Sequence, residues 1–540
     1  MSNVRTAEAG CPRPTRALGL LLIGGALLVG VGSSSASSVS GPKAGGTFRV
    51  ALAIDQGADP DLGGSFPVLR AVCANLFNWP DRDAGRVGLP LVPEVAAPHW
   101  RITNHGKRYM FTIRRDFAFS TGKRVTASDV KFTIERALKL GAYISNFALD
   151  VVGGTKHPER GLVARGNELV VNLVRPDGAL PAELAFPPFC IVPNGTPVDP
   201  NTPLNRPITA GPYRVALHND QGLVLKPNAH YHGSRPHYPS SIVVTFVGSD
   251  LDAGIARVES GAADFSPVDV SQLAALRTRY GRRVRTHIAP ITFGIQLNTT
   301  RPAFKSVAVR QAVNFATDRR ALISSSIDDW GLGAGVPTGQ ILPPGMPGYR
   351  PIRTYPLNGP NVVKARGILR RAHKQCGSVT LYASDTSSSA AEVVKQEWAR
   401  IGCVVNVKTF PGDAVYALVG RRGAPFDAFI SGWRPDYIDP EDFIDLLDGS
   451  KISASNNVNY SYLDVRSVDQ HIHAADRTTG EKRIPEFAQL DALIMDRYAP
   501  WVALYNPVAY GFLSKRVHGF VTAPYGDRLA VPDWSAIWLK

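Results

Sequence analysis

Apolar and polar residues alternate along 46–54, where Phe48, Val50 and Leu52 oppose Thr47, Arg49 and Ala51. This period of two predicts a half-buried strand. Two hairpins come next: 100–102 with 109–113 across 104–107, and 162–164 with 169–173 about Gly166-Asn167. Between them the period changes. Val130, Ile134, Ala137 and Leu138 lie on one helical stripe, opened by Thr126-Ala-Ser-Asp129, which has the form of a capping box. Strand patterns resume at 213–215, 223–226 and 242–246, succeeded by a helix over 252–260. From residue 292 a second long region begins, with helices predicted over 307–316 and 483–497. The last 35 residues return to strand-like, aromatic-rich sequence. Strands and helices mix throughout, which predicts an α/β (mixed α+β) protein rather than an all-β one.

The chain has 540 residues, enough for about two to four domains. Arg13 and Arg16 precede an uncharged, mostly apolar run over 17–31, and small residues fill 33–40. That order predicts a signal peptide, residues 1–36, cleaved after Ala36; the run is short for a membrane span. The net charge is +15, and loss of 1–36, with three arginines and one glutamate, leaves +13. A basic exported protein suits an acidic ligand or an anionic membrane, but no block of like charge stands out, so the expected reading is solvated surface with no nucleic-acid partner. Four cysteines remain after export: Cys73, Cys190, Cys376 and Cys403. An even number outside the cytoplasm predicts two disulfides. Cys376 precedes a strand pattern at 379–383 and Cys403 opens another at 404–407, with Val394, Trp398 and Ile401 marking a helix between them. Such a βαβ unit starts its parallel strands side by side. Cys376–Cys403 is therefore the first expected pair, and Cys73–Cys190 follows by elimination. None of the spacings suits zinc.

Residues 426–447, FDAFISGWRPDYIDPEDFIDLL, are the most informative segment. A strand (Phe426, Ala428, Ile430) breaks into a loop holding Trp433, Asp436, Tyr437 and Asp439, and a helix then opens. Asp439 is placed as its N-cap and Pro440 as its first residue, with Glu441 and Asp442 favouring the positive end of the dipole. An indole, a carboxylate and a phenol delivered together resemble a small-molecule pocket wall.

WxxDYxDP after an apolar strand also resembles the ligand loop of the dipeptide/oligopeptide-binding family of ABC-transporter solute receptors. Seven further matches run in the family's order: GGTFRVAL around Gly46, LVPEVA at Leu91, FTIRRDFAFSTGKRVTASDVKFTIERA at Phe111, AGPYRV at Ala210, NTTRPAFKSVAVRQAVNFATDRRALI at Asn298, LPPGMPGY at Leu342 and APWVALYN at Ala499. The resemblance covers residues 45–520. It implies a periplasmic-binding-protein-like fold of two lobes joined by two crossing segments, with solute trapped between them. Carried over by motif, lobe I comprises 45–78, 205–288 and 506–540, an extra α+β domain over 79–204 is inserted in it, and lobe II spans 289–505. Hinges are expected near 288–292 and 504–507.

The resemblance also implies roles. The acid three residues after the loop tryptophan pairs with the α-ammonium of the ligand in peptide-binding members, and Asp436 stands at that spacing from Trp433. Trp433 and Tyr437 would pack on the ligand, and Ser65 and Phe66, behind the family's acid-proline pair at Asp59-Pro60, lie in a segment that faces the cleft in relatives. Asn298 is expected in a turn, and Arg310 and Arg319 in salt bridges. His471 and His473 share no helix face and make a poor metal pair. Many members are lipoproteins, but Cys11 precedes the apolar run and no cysteine occurs after it until Cys73, so a lipid anchor is not expected. No GxSxG, HExxH, Walker A or strand-linked GxGxxG sequence recommends an enzyme. The expected protein is an exported, periplasmic, monomeric receptor without cofactor, taking short peptides to the permease subunits of an ABC importer. The rivals are a sugar or metal-chelate ligand on the same fold, or a secreted interaction protein.

Overall fold

The computed structural model describes residues 41–53, 57–80, 90–141, 150–248, 250–325, 335–521 and 533–540. The signal-peptide reading of 1–36 lies outside them. No described helix is long and apolar enough to cross a membrane.

The architecture is mixed α/β, organised on one strand. Trp501–Leu513 is buried at every position. Its first part pairs antiparallel with Thr292–Leu297, and its later part with Val284–Ile288 and Phe265–Val268. Outward from Phe265–Val268 run Thr47–Leu52, Ser241–Phe246, Gly222–Pro227 and Tyr213–Asn219; outward from Thr292–Leu297 run Ala428–Trp433, Gly377–Ser384 and Cys403–Phe410. One sheet therefore has two halves, each covered by its own helices, and the chain passes between them at 289–291 and 506–507. The Asn506 side-chain amide donates to the Ile291 carbonyl at 2.9 Å and to Thr292 Oγ1 at 3.0 Å, tying one crossing to the other. Two such halves make a two-lobed fold.

A separate four-stranded antiparallel sheet, Arg101–Thr103, Arg108–Thr112, Glu168–Asn172 and Leu162–Arg165, stands beside the first lobe. The helix Ala127–Leu140 packs on it with Val130, Ile134, Ala137 and Leu138 buried, and Thr126 and Asp129 form the capping box. Arg136 of this helix reaches back to Asp59, at 2.9 Å, and Asp61, so the acid-proline pair anchors the inserted unit from a fully buried position. Burial and the neighbouring Asp59 charge outweigh Arg136 and push the Asp61 carboxyl up to about 7. Cys73 is bonded to Cys190, with Cα atoms 5.1 Å apart. Cys376 is bonded to Cys403 where Gly377–Ser384 and Cys403–Phe410 begin in parallel, Gly377 opposite Cys403.

Arg310 and Arg319 correct the expectation of salt bridges. Arg310 donates to the carbonyls of Tyr498, Phe304 and Lys305. Arg319 donates to those of Thr338, Ala503, Asn314 and Pro356. Both are buried by the second lobe's core, and burial lowers each guanidinium to about 10. Five fixed donors can satisfy several carbonyls at once, which a lysine could not.

Candidate ligand-binding site

The strand Ala428–Trp433 runs from the sheet into the loop before Glu441–Ile444. Trp433 ends the strand. The Asp442 carboxylate holds the start of the loop, since its Oδ2 accepts the Trp433 indole N–H at 2.8 Å and the Asp436 amide at 3.3 Å. Asp439 accepts the Glu441 amide at 3.0 Å, as a cap does, but the helix opens one residue later than expected, with Pro440 at the N-cap position. The other oxygen of Asp439 pairs with Arg483, which also holds Glu441 at 2.9 Å. These three charges are buried together, and the desolvation of each is offset only by the others.

The loop forms one wall of a cavity of about 190 Å³. Trp433, Asp436 and Tyr437 line it from the second lobe, and Asp177 and Glu183 from the inserted unit. The two sides meet closely beside it. A Cβ on Gly178 would stand 2.6 Å from the Thr478 carbonyl oxygen and 2.8 Å from Arg483 Cδ.

Carboxylates dominate the lining, and its cations are committed. Arg175 pairs with Asp150 at 2.6 Å, and Lys451 with Asp445. Asp448 meets His473 Nε2 at 2.9 Å. Asp177 accepts the amides of Ala179 and Leu180 at 2.8 and 3.1 Å. No hydrogen-bond donor among the described residues reaches the half-buried carboxylate of Asp436. Burial pushes that carboxyl up to about 6, against the pull of Arg434. Burial and a neighbouring acid raise Glu183 and Asp442 well above the usual range. An ionised carboxylate without a donor is costly away from water, so this wall is poised to receive one.

Ser65 and Phe66 do not line the cavity. Ser65 is buried ahead of the helix Phe66–Val72. Phe66 packs edge-on against Phe186, and the Arg434 guanidinium lies 5.9 Å from its ring centre. Asn298 makes the expected turn, its Oδ1 accepting the Thr300 amide and hydroxyl. The residues that sequence reasoning missed are Asp177, Glu183 and Arg483. One signal pointed near them: six carboxylates stand in the thirteen residues 436–448 of a basic chain.

A cavity walled by side chains from two lobes, with a polar group turned into it and closely packed rims, defines a receptor for a small solute. Residues 90–455 match bacterial extracellular solute-binding proteins, family 5 (middle), and the chain belongs to that family. It is 26% identical to heme-binding protein A of Haemophilus influenzae over 81% of this chain and 82% of that one. It is 24% identical to di/tripeptide-binding protein 1 of Pseudomonas aeruginosa, over 82% and 85% respectively. The fold matches the solved structure of clavulanic acid biosynthesis oligopeptide binding protein 2 with a TM-score of 0.78 at 21% identity, covering 92% of this chain and 96% of that one.

Proposed function

We propose that this chain is the receptor of an ABC importer for short peptides and that Asp436 holds the ligand's α-ammonium. The observation that carries this is the Asp436 carboxylate, on the cavity wall and without a donor among the described residues. An ammonium entering a closing cleft makes a charge-assisted hydrogen bond there, stronger than a solvated acid could offer. Trp433, pinned by Asp442, and Tyr437 supply rigid apolar area beside it. A cavity of about 190 Å³ lies below the roughly 300–1,000 Å³ of ordinary small-molecule pockets and so favours the shortest peptides over larger solutes. Relatives named for di- and tripeptides support the same reading. Phe66 borders the loop through Arg434.

Ligand touches both lobes only when they are closed, so binding shifts the population toward closure. Lobe I is assigned to 45–78, 205–288 and 506–540, with 79–204 inserted, and lobe II to 289–505; the two crossings act as hinges. The exported monomer delivers its solute to a membrane permease and catalyses no reaction itself. Calorimetric titration with free and N-acetylated versions of one peptide tests the assignment. Acetylation should weaken binding at least about tenfold, the loss of one charge-assisted contact; equal binding would remove Asp436 from the role.

A further inference from the structure

The inserted unit contributes to the cavity a charge pattern that one α-ammonium does not satisfy. Glu183 is 5% exposed and lines the cavity. Among the described residues no amide, hydroxyl or cationic donor reaches its carboxyl, and the acid beside it on the lining is Asp177. Two buried neighbouring acids cannot both ionise without a compensating positive charge. The nearby cations are already engaged: Arg175 by Asp150, Lys451 by Asp445, Arg483 by Asp439 and Glu441. Among the described residues, the buried Oδ1 atoms of Asp445, on the lining, and of Asp476 accept no hydrogen bond. The excess of negative charge is therefore built into both walls, and it faces the same cavity as Asp436.

We infer that the preferred ligand carries a second positive charge, a lysine- or arginine-type side chain seated between Asp177 and Glu183. This rests on the reading of the cavity as a peptide site. An ammonium or guanidinium there supplies that compensating charge and brings donors to the Glu183 carboxyl. A neutral side chain of the same length leaves the acids as they are. An acidic one adds a like charge, which costs affinity and serves as discrimination against the wrong ligand.

Calorimetric titration of the purified protein with di- and tripeptides that differ only in lysine, norleucine or glutamate at one position tests the inference. A lysine peptide should bind at least about tenfold more tightly than its norleucine counterpart, with the glutamate peptide weakest. Asp177→Asn and Glu183→Gln should each shrink the lysine preference to about threefold or less; if either variant fails to fold, the preference of the unaltered protein decides. Equal binding of lysine and norleucine peptides, both still requiring a free α-amine, would overturn the second charge and leave the peptide reading intact. Binding of 1,5-diaminopentane with no response to any peptide would support the cationic site and overturn the peptide reading. Silence toward every peptide and the diamine would overturn both.

Discussion

Replacing Gly178 by alanine should weaken ligand binding without harming the fold. Gly178 lies next to Asp177 in the inserted unit and faces the second lobe. The new methyl would meet the Thr478 carbonyl oxygen at 2.6 Å and Arg483 Cδ at 2.8 Å, both well inside van der Waals contact. Neither neighbour can yield cheaply. Thr478 presents backbone, and Arg483 is held by Asp439 and Glu441 in a buried ion pair. Overpacking of this kind costs about 1–3 kcal/mol, and here the cost falls only on the closed arrangement, in which the two surfaces touch. Affinity should therefore drop by about 5- to 150-fold. The backbone of Gly178 is not in the left-handed region, so with the lobes apart alanine is tolerated. Its restriction of the unfolded chain would then add about 0.4–1 kcal/mol of stability. Titration calorimetry gives the affinity, urea unfolding without ligand gives the stability, and small-angle scattering with saturating peptide gives the degree of closure. Equal affinity and equal compaction in the alanine variant would refute the claim that this contact belongs to the ligand-bound state. A loss of affinity together with several kcal/mol of stability would instead mark Gly178 as ordinary core.

Arg483→Met should destabilise the protein by about 3–5 kcal/mol in urea unfolding, because Asp439 and Glu441 are left buried without their cation; a loss below about 1 kcal/mol would refute the clamp. Acid should weaken peptide binding through Asp436, whose carboxyl is raised to about 6 by burial with Arg434 opposing. The ligand ammonium requires the ionised form, so affinity is full above pH 7 and falls as pH drops through 6, by about tenfold near pH 5; titrations at pH 7 and pH 5 that agree would remove this carboxylate from the site. Breaking the Cys376–Cys403 bond with serine at both positions should cost about 3–4 kcal/mol by loop-closure entropy over its separation of 27 residues; a midpoint shift under about 1 kcal/mol would count against that account.

Much of the fold was legible because local and tertiary demands agree. The stripe Val309, Ala312, Val313 and Ala316 gives a helix at Val307–Ala316, and the Thr126–Asp129 box starts the helix at Ala127. The long strand Trp501–Leu513 was read as strand-like and aromatic-rich only from residue 506, its first part having been taken for a family motif and a hinge. It is buried on both faces, so no alternation marks it. It also contains Pro507, which argues against a central strand; the proline is tolerated because it sits where the strand passes from one half of the sheet to the other. Arg310 and Arg319 were misread for a different reason: a sequence shows which residues carry charge but not which carbonyls a fold leaves without partners. Trp433, Asp436 and Tyr437 came into view as an indole, a carboxylate and a phenol delivered by one strand to one loop, and the family resemblance gave their roles. Asp177 and Glu183 did not, since they reach the cavity from a segment about 260 residues earlier, and pairing over such a separation is settled by tertiary structure alone.

Charge shows most clearly why bulk composition misleads about a binding site. A net +15 is compatible with an acidic ligand or an anionic surface, although solvated surface was the expected reading, and the cavity is lined by an excess of carboxylates. The two statements concern different dielectrics. Surface lysines and arginines act across water, screened within about 8 Å at physiological salt, and they influence encounter more than the bound state. Asp177, Glu183, Asp436 and Asp442 act where burial has already raised their carboxyls, and there a single ion pair outweighs many distant repulsions. Burial raises the cost of each negative charge, so the same burial that makes these groups weaker acids makes them selective for a donor that carries its own positive charge.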